Sequence, residues 1–385
     1  MKTINRLLLL LVVAILCGSV AYANEKPVKY INAKDLRIIN RGWTNTIRDY
    51  DRLPTFLKDS VRDVLWERSQ CSAGIAVRFA TNSTSVGVKY RLLWDTHMKH
   101  MADTGLKGTD LYIHEGDSVW RHVNTNRPYT DSLKWCKSTY VSNVEPRMQE
   151  YMVYLPLYDG VEELYIAVDS AATITCGNPD LISDKKKIIA YGTSILQGGC
   201  ASRTGMAATN IMSRELNCEI VNIGISGEGK MDYCMARAMA DIADADLFLL
   251  DPIPNCTEMM CDTLTYDFVN IIRKARPDIP IVMVEGPIYP YARYDKSMGN
   301  YLPRKNAAFR RNYEKLMAEN PNNLYYVDCV NLDGVEDDGT VDGIHLTDLG
   351  FKYYAAKLLP YLRPFVEKMK VMPLFATLFC AMHAP

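Results

Sequence analysis

The chain carries almost no net charge. Its 385 residues hold 44 basic and 45 acidic side chains, a formal balance of −1, so neither nucleic acid nor an anionic membrane surface has an electrostatic reason to bind it. Neutral or small substrates fit that balance better. None of the eleven cysteines forms a Cys-x-x-Cys pair or a metal-finger spacing, which excludes the usual zinc and redox motifs. The acidic loop "DGVEDDGTVD" lacks calcium-loop spacing, and clustered metal ligands are missing from the sequence as a motif. No cofactor fingerprint is present either. Internal repeats and low-complexity blocks are also absent. Histidine is scarce, six residues in all, and that scarcity narrows any search for a general base.

The amino-terminal run is too short to be read as a membrane helix, which needs roughly 20 apolar residues. Lys2 and Arg6, the apolar Leu7 to Leu16 and the small residues of Ala21-Tyr22-Ala23 together predict an export signal over residues 1–23. The mature chain is then expected to begin at Asn24, outside the cytoplasm, in the periplasm or secreted. A lipid anchor at Cys17 is the competing reading, and bulky Leu16 before it argues against that. Disulfides become permissible after export, although pairing is not readable from sequence. The tail 367–385, which includes "VMPLFATLFCAMHAP", is apolar, too short to span, and has no assigned role.

What remains divides in two. From residue 24 to 178 apolar residues alternate. "GIAVRFATNSTSVGVKYRLLW" places Ile75, Val77 and Phe79 on one face, a turn at Asn82-Ser83, then Val86, Val88 and Tyr90, a pattern read as a hairpin. "GTDLYIHEGDSVWRHV" and "EYMVYLPLYDGVEELYIAVD" repeat it, which predicts an all-β sandwich of jelly-roll type. All five tryptophans, Trp43, Trp66, Trp94, Trp120 and Trp135, lie in this half.

After Asn178-Pro179 the period changes. Five continuous apolar runs, in "KKKIIAYG", "EIVNIGI", "ADLFLLDPIP", "IPIVMVEGPI" and "NLYYVDCV", alternate with helical stretches near 205–216, 231–242, 266–275, 304–319 and 348–359. That alternation predicts a five-stranded parallel sheet covered on both faces, over residues 186–366. Ligands of such sheets bind at the carboxyl ends of the strands.

Four candidate groups fall at those ends. Ser194 follows the first strand, and a serine hydroxyl attacks only when a base takes its proton. Four histidines lie in the sandwich half and His383 in the tail, leaving His345 of "VDGIHLTDLG" as the base. Asp342, three residues earlier, is placed to fix its tautomer. Gly227 in "NIGISGEG" and Asn255 in "DPIPN", with the Ser194 N–H, supply candidate donors for an oxyanion. Each also has a plainer reading: Ser194 as a helix cap, Gly227 as a turn glycine, Asn255 and Asp342 as turn formers, and His345 as a structural histidine.

Taken together, Gly192-Thr193-Ser194, the Gly227 segment, Asn255 and Asp342-Gly343-Ile344-His345 resemble the four blocks of the SGNH, or GDSL-like, hydrolases. "GTDLY" at residues 108–112 is similar to the module found before certain exported bacterial SGNH esterases. The resemblance implies a flavodoxin-like αβα sandwich, a Ser194-His345-Asp342 triad and an oxyanion hole from Ser194, Gly227 and Asn255. Thr193 stands where the family usually has Asp, and Pro254-Asn255-Cys256 lacks the usual glycine before and Asp after the Asn. The function so implied is an exported esterase acting on short, chiefly acetyl, esters of a small molecule or glycan, without stable membrane insertion. Two alternatives stay open, a lysophospholipase or thioesterase and an inactive carbohydrate-binding protein. Trp94, His97 and His100 are candidates for a rim that the first half adds to the site, or members of an ordinary loop.

Overall fold

A computed structural model describes residues 27–116, 119–181, 183–334 and 337–366. The expected export signal, Cys17 and the tail with His383 lie outside the described residues. Among those described, no helix is long and apolar enough to cross a membrane, and no two cysteines form a disulfide.

The first half is built from two antiparallel sheets. One has the strand order Val28–Asn32, Val161–Asp169, Ser85–Leu92, Trp135–Ser142; the other runs Ile174–Thr175, Ala76–Thr81, Gln149–Tyr154, Asp110–Glu115, Val119–Thr125, with Arg37–Ile39 also paired to Ala76–Thr81. The two runs expected to form a hairpin around Asn82-Ser83 therefore do not pair. Ala76–Thr81 and Ser85–Leu92 belong to opposite sheets, and the turn carries the chain across the sandwich. The alternation was nonetheless read in the right phase: Ile75, Val77 and Phe79 meet Val86, Val88 and Tyr90 in one buried cluster. They face one another across the core instead of lying side by side. Ser83 fixes the crossing, its hydroxyl donating to Ser85 O and accepting from Asp169 N at 2.9 Å. The Asp159-Gly160 turn makes the same kind of crossing, from Gln149–Tyr154 to Val161–Asp169. Asp110–Glu115 and Val119–Thr125, both within "GTDLYIHEGDSVWRHV" and its continuation, do pair antiparallel as expected.

The second half holds a five-stranded parallel sheet, in the order Cys218–Gly224, Ser183–Gly192, Leu247–Asp251, Ile281–Val284, Leu324–Val327. Successive residues alternate between its two covered faces. Ile188, Ala190, Leu247, Leu249, Val282 and Val284 pack on one side; Ile189, Tyr191, Phe248, Leu250, Ile281 and Met283 pack on the other. This is why the strands read as unbroken apolar runs. The helices are Ala208–Leu216, Tyr233–Ala240, Thr265–Ala275, Lys296–Glu319 and Asp348–Val366. Two exceed expectation. Lys296–Glu319 begins well before residue 304 and runs through Pro303, and Asp348–Val366 continues past Pro360.

The halves are joined by buried polar contacts as well as apolar ones. Leu53, Leu57 and Leu65 enter one core of the parallel sheet, and Met101, Leu157 and Tyr158 enter the other. Asp110, the acid of "GTDLY", is fully buried. It accepts from Arg203 Nη1 at 2.8 Å and from Gly205 N at 2.8 Å, while Tyr112 Oη takes a further bond from Arg203 Nη1 at 2.7 Å. A Cβ on Gly205 would lie 2.3 Å from Tyr112 Oη, so the ring needs glycine there. The motif is thus a clamp on the loop that follows the first strand of the parallel sheet.

Candidate active site

The first parallel strand ends at Gly192, packed so closely that a Cβ would sit 2.9 Å from Asp251 O. Thr193 caps the short helix Ser194–Gln197, its hydroxyl accepting from Ile195 N at 3.3 Å. A threonine hydroxyl performs this capping as an aspartate would, so the departure at Thr193 leaves the local geometry supported. Ser194 is the first residue of that helix and is only 6% exposed.

His345 reaches it from the loop before the last helix. Its Nε2 lies 2.8 Å from Ser194 Oγ, and its Nδ1 lies 2.8 Å from Asp342 Oδ2. The other Asp342 oxygen accepts from the backbone N–H groups of Ile344 and His345, at 3.0 and 2.8 Å. Gly343, at φ +86°, allows the tight turn between acid and base. Burial opposes the charge of Asp342, but the bonds from the His345 ring and the two N–H groups outweigh it and hold the carboxyl below its ordinary range. Asp342 is therefore an anion at neutral pH, able to keep the proton on Nδ1 and leave Nε2 facing the serine.

Gly199 makes room for the base. A Cβ there would lie 3.0 Å from His345 Cδ2, 3.0 Å from Ser194 O and 2.7 Å from Tyr158 Oη. Gly199 is not among the residues that the sequence singles out, and close approach to His345 is its physical role.

The expected oxyanion donors sit on neighbouring loops. Gly227 takes φ +73°, and a Cβ there would meet Arg68 Nη1 at 2.5 Å. That guanidinium comes from the first half and donates to Ser226 O at 2.7 Å, bracing the loop. Ser226 N in turn donates to Gln197 Oε1. Two residues on, Gly229 presses against the nucleophile's turn, a Cβ there being 2.3 Å from Gly192 O. Its N–H donates to Asn255 Oδ1 at 3.2 Å. That bond engages the oxygen of the Asn255 amide. Asn255, though lacking the family's usual neighbours, is thus tied through Gly229 to the turn bearing Ser194.

The first half contributes more than bracing. His100 packs its ring 5.8 Å from that of His345, while His97 is held away from it, beside Lys107, Asp95 and Asp103. Trp94 is 38% exposed. Of the three rim candidates, only His100 is found against the triad residues. Cys200, with φ +71°, lies near the same place; burial, then the Asp342 charge, pushes its thiol up to about 12. His100, Cys200, Asp342 and His345 each present one ligand-type atom, and the four atoms lie within 4.8 Å of one another. The sequence held no such cluster as a motif, because three separate chain segments supply it.

Comparison with known proteins agrees with this architecture. Residues 185–363 match the GDSL-like lipase/acylhydrolase family, and residues 28–174 match the N-terminal module of SGNH-hydrolase-type esterases. A Bacteroides ovatus protein assigned as a GDSL-like lipase is 32% identical, with a TM-score of 0.82 over 88% of this chain and 98% of that one. A salicylyl-acyltransferase of a tetracycline biosynthetic pathway shares the fold at 17% identity, with a TM-score of 0.69 over 88% and 99% of the two chains. So does an acetyl xylan esterase from the rumen bacterium Butyrivibrio proteoclasticus, at 10% identity, with a TM-score of 0.53 over 87% and 98%. None of the curated proteins compared matches the chain.

Proposed function

The chain belongs to the GDSL-like lipase/acylhydrolase family and is an ester-hydrolysing enzyme, and we propose that it is an exported serine esterase removing acetyl or similarly short acyl groups from carbohydrate. The observation that carries the mechanism is the unbroken hydrogen-bonded line from Asp342 through His345 to Ser194 Oγ. In this reading His345 Nε2 takes the proton of Ser194 as its oxygen attacks the ester carbonyl. Asp342 stabilises the imidazolium that forms. The N–H groups of Ser194 and Gly227 and the Asn255 amide hold the oxyanion. The imidazolium then protonates the departing alcohol, and His345 activates water to release the acid and regenerate Ser194.

The short-acyl reading rests on polar surroundings and on a neutral substrate. The turn that bears Ser194 is tightly packed, Tyr158 and Gly199 approaching the backbone of Ser194 and Leu196 and Gly229 that of Gly192, and the group that the first half adds beside His345 is the polar ring of His100. Acyl chains of lipid length would need an apolar channel. The balanced charge and the export-type leader support a neutral extracellular substrate, and the fold shared with an acetyl xylan esterase is consistent with glycan esters.

The test is an ester panel graded by acyl length, run with acetylated polysaccharides beside Ser194→Ala. Preference for acetyl, with acetate released from a glycan, supports the proposal. Preference for long acyl chains would replace it with the lysophospholipase or thioesterase reading. Glycan binding with no hydrolysis in either protein would favour the inactive carbohydrate-binding reading.

A further inference from the structure

The cluster around His345 adds to the triad two donors, His100 and Cys200, that ester hydrolysis does not require. His100 comes from the loop after Ser85–Leu92 in the sandwich half, Cys200 from the turn after the nucleophile's helix, and Asp342 with His345 from the loop before the last helix. Their ligand atoms lie within 4.8 Å of one another. Two imidazoles, a thiol and a carboxylate form a mixed N, S, O set. Such a set suits zinc and disfavours magnesium or calcium, which take oxygen alone.

The spacing is close to what zinc needs. Tetrahedral bonds of about 2.0–2.3 Å place donor atoms about 3.4–3.8 Å apart, so the cluster must contract by about 1 Å. His100 is exposed and can swing inward by a change of rotamer. Cys200 is held near the site by its left-handed backbone, in a turn begun by Gly198 at φ +106°.

We propose that this cluster is an inhibitory zinc site, at which Zn2+ switches the enzyme off by taking His345 and Asp342 out of the triad. Binding displaces one proton, from the Cys200 thiol, and leaves a zinc thiolate. Either nitrogen of His345 that ligates the ion breaks a triad bond: Nε2 ceases to face Ser194, or Nδ1 ceases to face Asp342. No catalytic water is generated, and no step of hydrolysis passes through the metal. Because His100 belongs to the sandwich half, the ion would also pin that half to the catalytic loop. Inhibition rests on the catalytic role of His345, whereas zinc binding does not.

The two parts are tested separately on the full chain, after removal of metal with a chelator. Binding is measured by competition with a chromophoric zinc indicator, and by the thiolate-to-metal absorption of the Co2+ form. Activity is measured on a p-nitrophenyl ester in the same samples. The account expects one equivalent of zinc, a cobalt–thiolate band, loss of activity in proportion to occupancy, and recovery on adding EDTA. His100→Ala and Cys200→Ala should each weaken binding by at least about tenfold, the order lost even when an outer-sphere partner of a zinc ligand is removed. Each variant's own metal-free activity is the reference for its inhibition, and His100→Ala, at an exposed position, tests the site with little risk to folding. Absence of stoichiometric binding, or binding unchanged in both variants, overturns the site. Binding that leaves hydrolysis intact overturns the inhibition. A protein that binds zinc through His100 and Cys200 but never hydrolyses an ester retains the site and refutes the esterase mechanism instead.

Discussion

Gly199 and His345 are in direct apposition: a methyl group on Gly199 would lie 3.0 Å from His345 Cδ2. The same carbon would lie 2.7 Å from Tyr158 Oη and 3.0 Å from Ser194 O, so the methyl group presses on both the base and the nucleophile's turn, and a shift of either disturbs the line from His345 Nε2 to Ser194 Oγ. Gly199→Ala is therefore expected to lower kcat by about tenfold to a hundredfold, the usual cost of displacing a catalytic group by a fraction of an ångström to 1 Å. Steady-state kinetics beside a thermal melt checks this. The melt should fall as well, since the methyl group also meets buried Tyr158, and a variant with wild-type kcat would show that the ring tolerates the methyl group.

Asn255 is oriented by the bond from Gly229 N to its Oδ1. Asn255→Asp keeps that acceptor and removes the NH2 donor. If the donor serves the oxyanion, kcat should fall about a hundredfold or more with a smaller change in KM. Asn255→Ala, which removes both, should fall comparably. A loss confined to the alanine variant would assign Asn255 to loop structure alone.

Asp110 ties the sandwich to the hydrolase through Arg203 and Gly205. Asp110→Ala leaves a guanidinium and a buried N–H without their acceptor, and should cost about 3 kcal/mol of stability. Urea unfolding followed by tryptophan fluorescence reports on it, since every tryptophan is in the first half. A shift of the midpoint measured both by fluorescence and by loss of activity would show the halves unfolding together.

Asp251 ends the third parallel strand, fully buried, with Oδ2 accepting from Tyr354 Oη at 2.7 Å and Oδ1 without a partner among the described residues. Burial pushes its carboxyl up to about 8, against an ordinary value of about 3.9. Between those values the folded chain keeps a proton that the unfolded chain releases. The associated stability is present below about pH 4 and is lost as pH rises to about 8. Asp251→Asn carries no such group, so its denaturation midpoint should rise relative to wild type across that window and level off above it. Parallel pH profiles for the two proteins would contradict the assignment.

Much of the site could be read from sequence because the parallel sheet imposes a simple rule. Strands covered on both faces give continuous apolar runs, and the residues just beyond their carboxyl ends converge in space. Ser194, Gly227, Asn255 and His345 were all legible on that basis. Strand pairing in the sandwich was not. A period of two tells which residues share a face, but not whether the next run lies beside the strand or opposite it, and Ala76–Thr81 and Ser85–Leu92 lie in opposite sheets. Helix Lys296–Glu319 was read short because Pro303 looks like a start signal, while the true cap is Asp295, whose carboxylate accepts from Ser297 N and Met298 N. His100 is one of three rim candidates in the sequence, and the choice among them is not legible there, since its place beside His345 depends on how the two halves dock.

The central claim is that Ser194 carries the acyl group. The direct measurement is hydrolysis of p-nitrophenyl acetate by wild type and Ser194→Ala, with quenched samples of each examined by intact-protein and peptide mass spectrometry. The account predicts that the variant loses at least about a thousandfold in kcat, and that the wild type alone gains one acetyl group, on the peptide containing Ser194. Equal activity in the two proteins, or an acetyl group carried elsewhere during turnover, would contradict it.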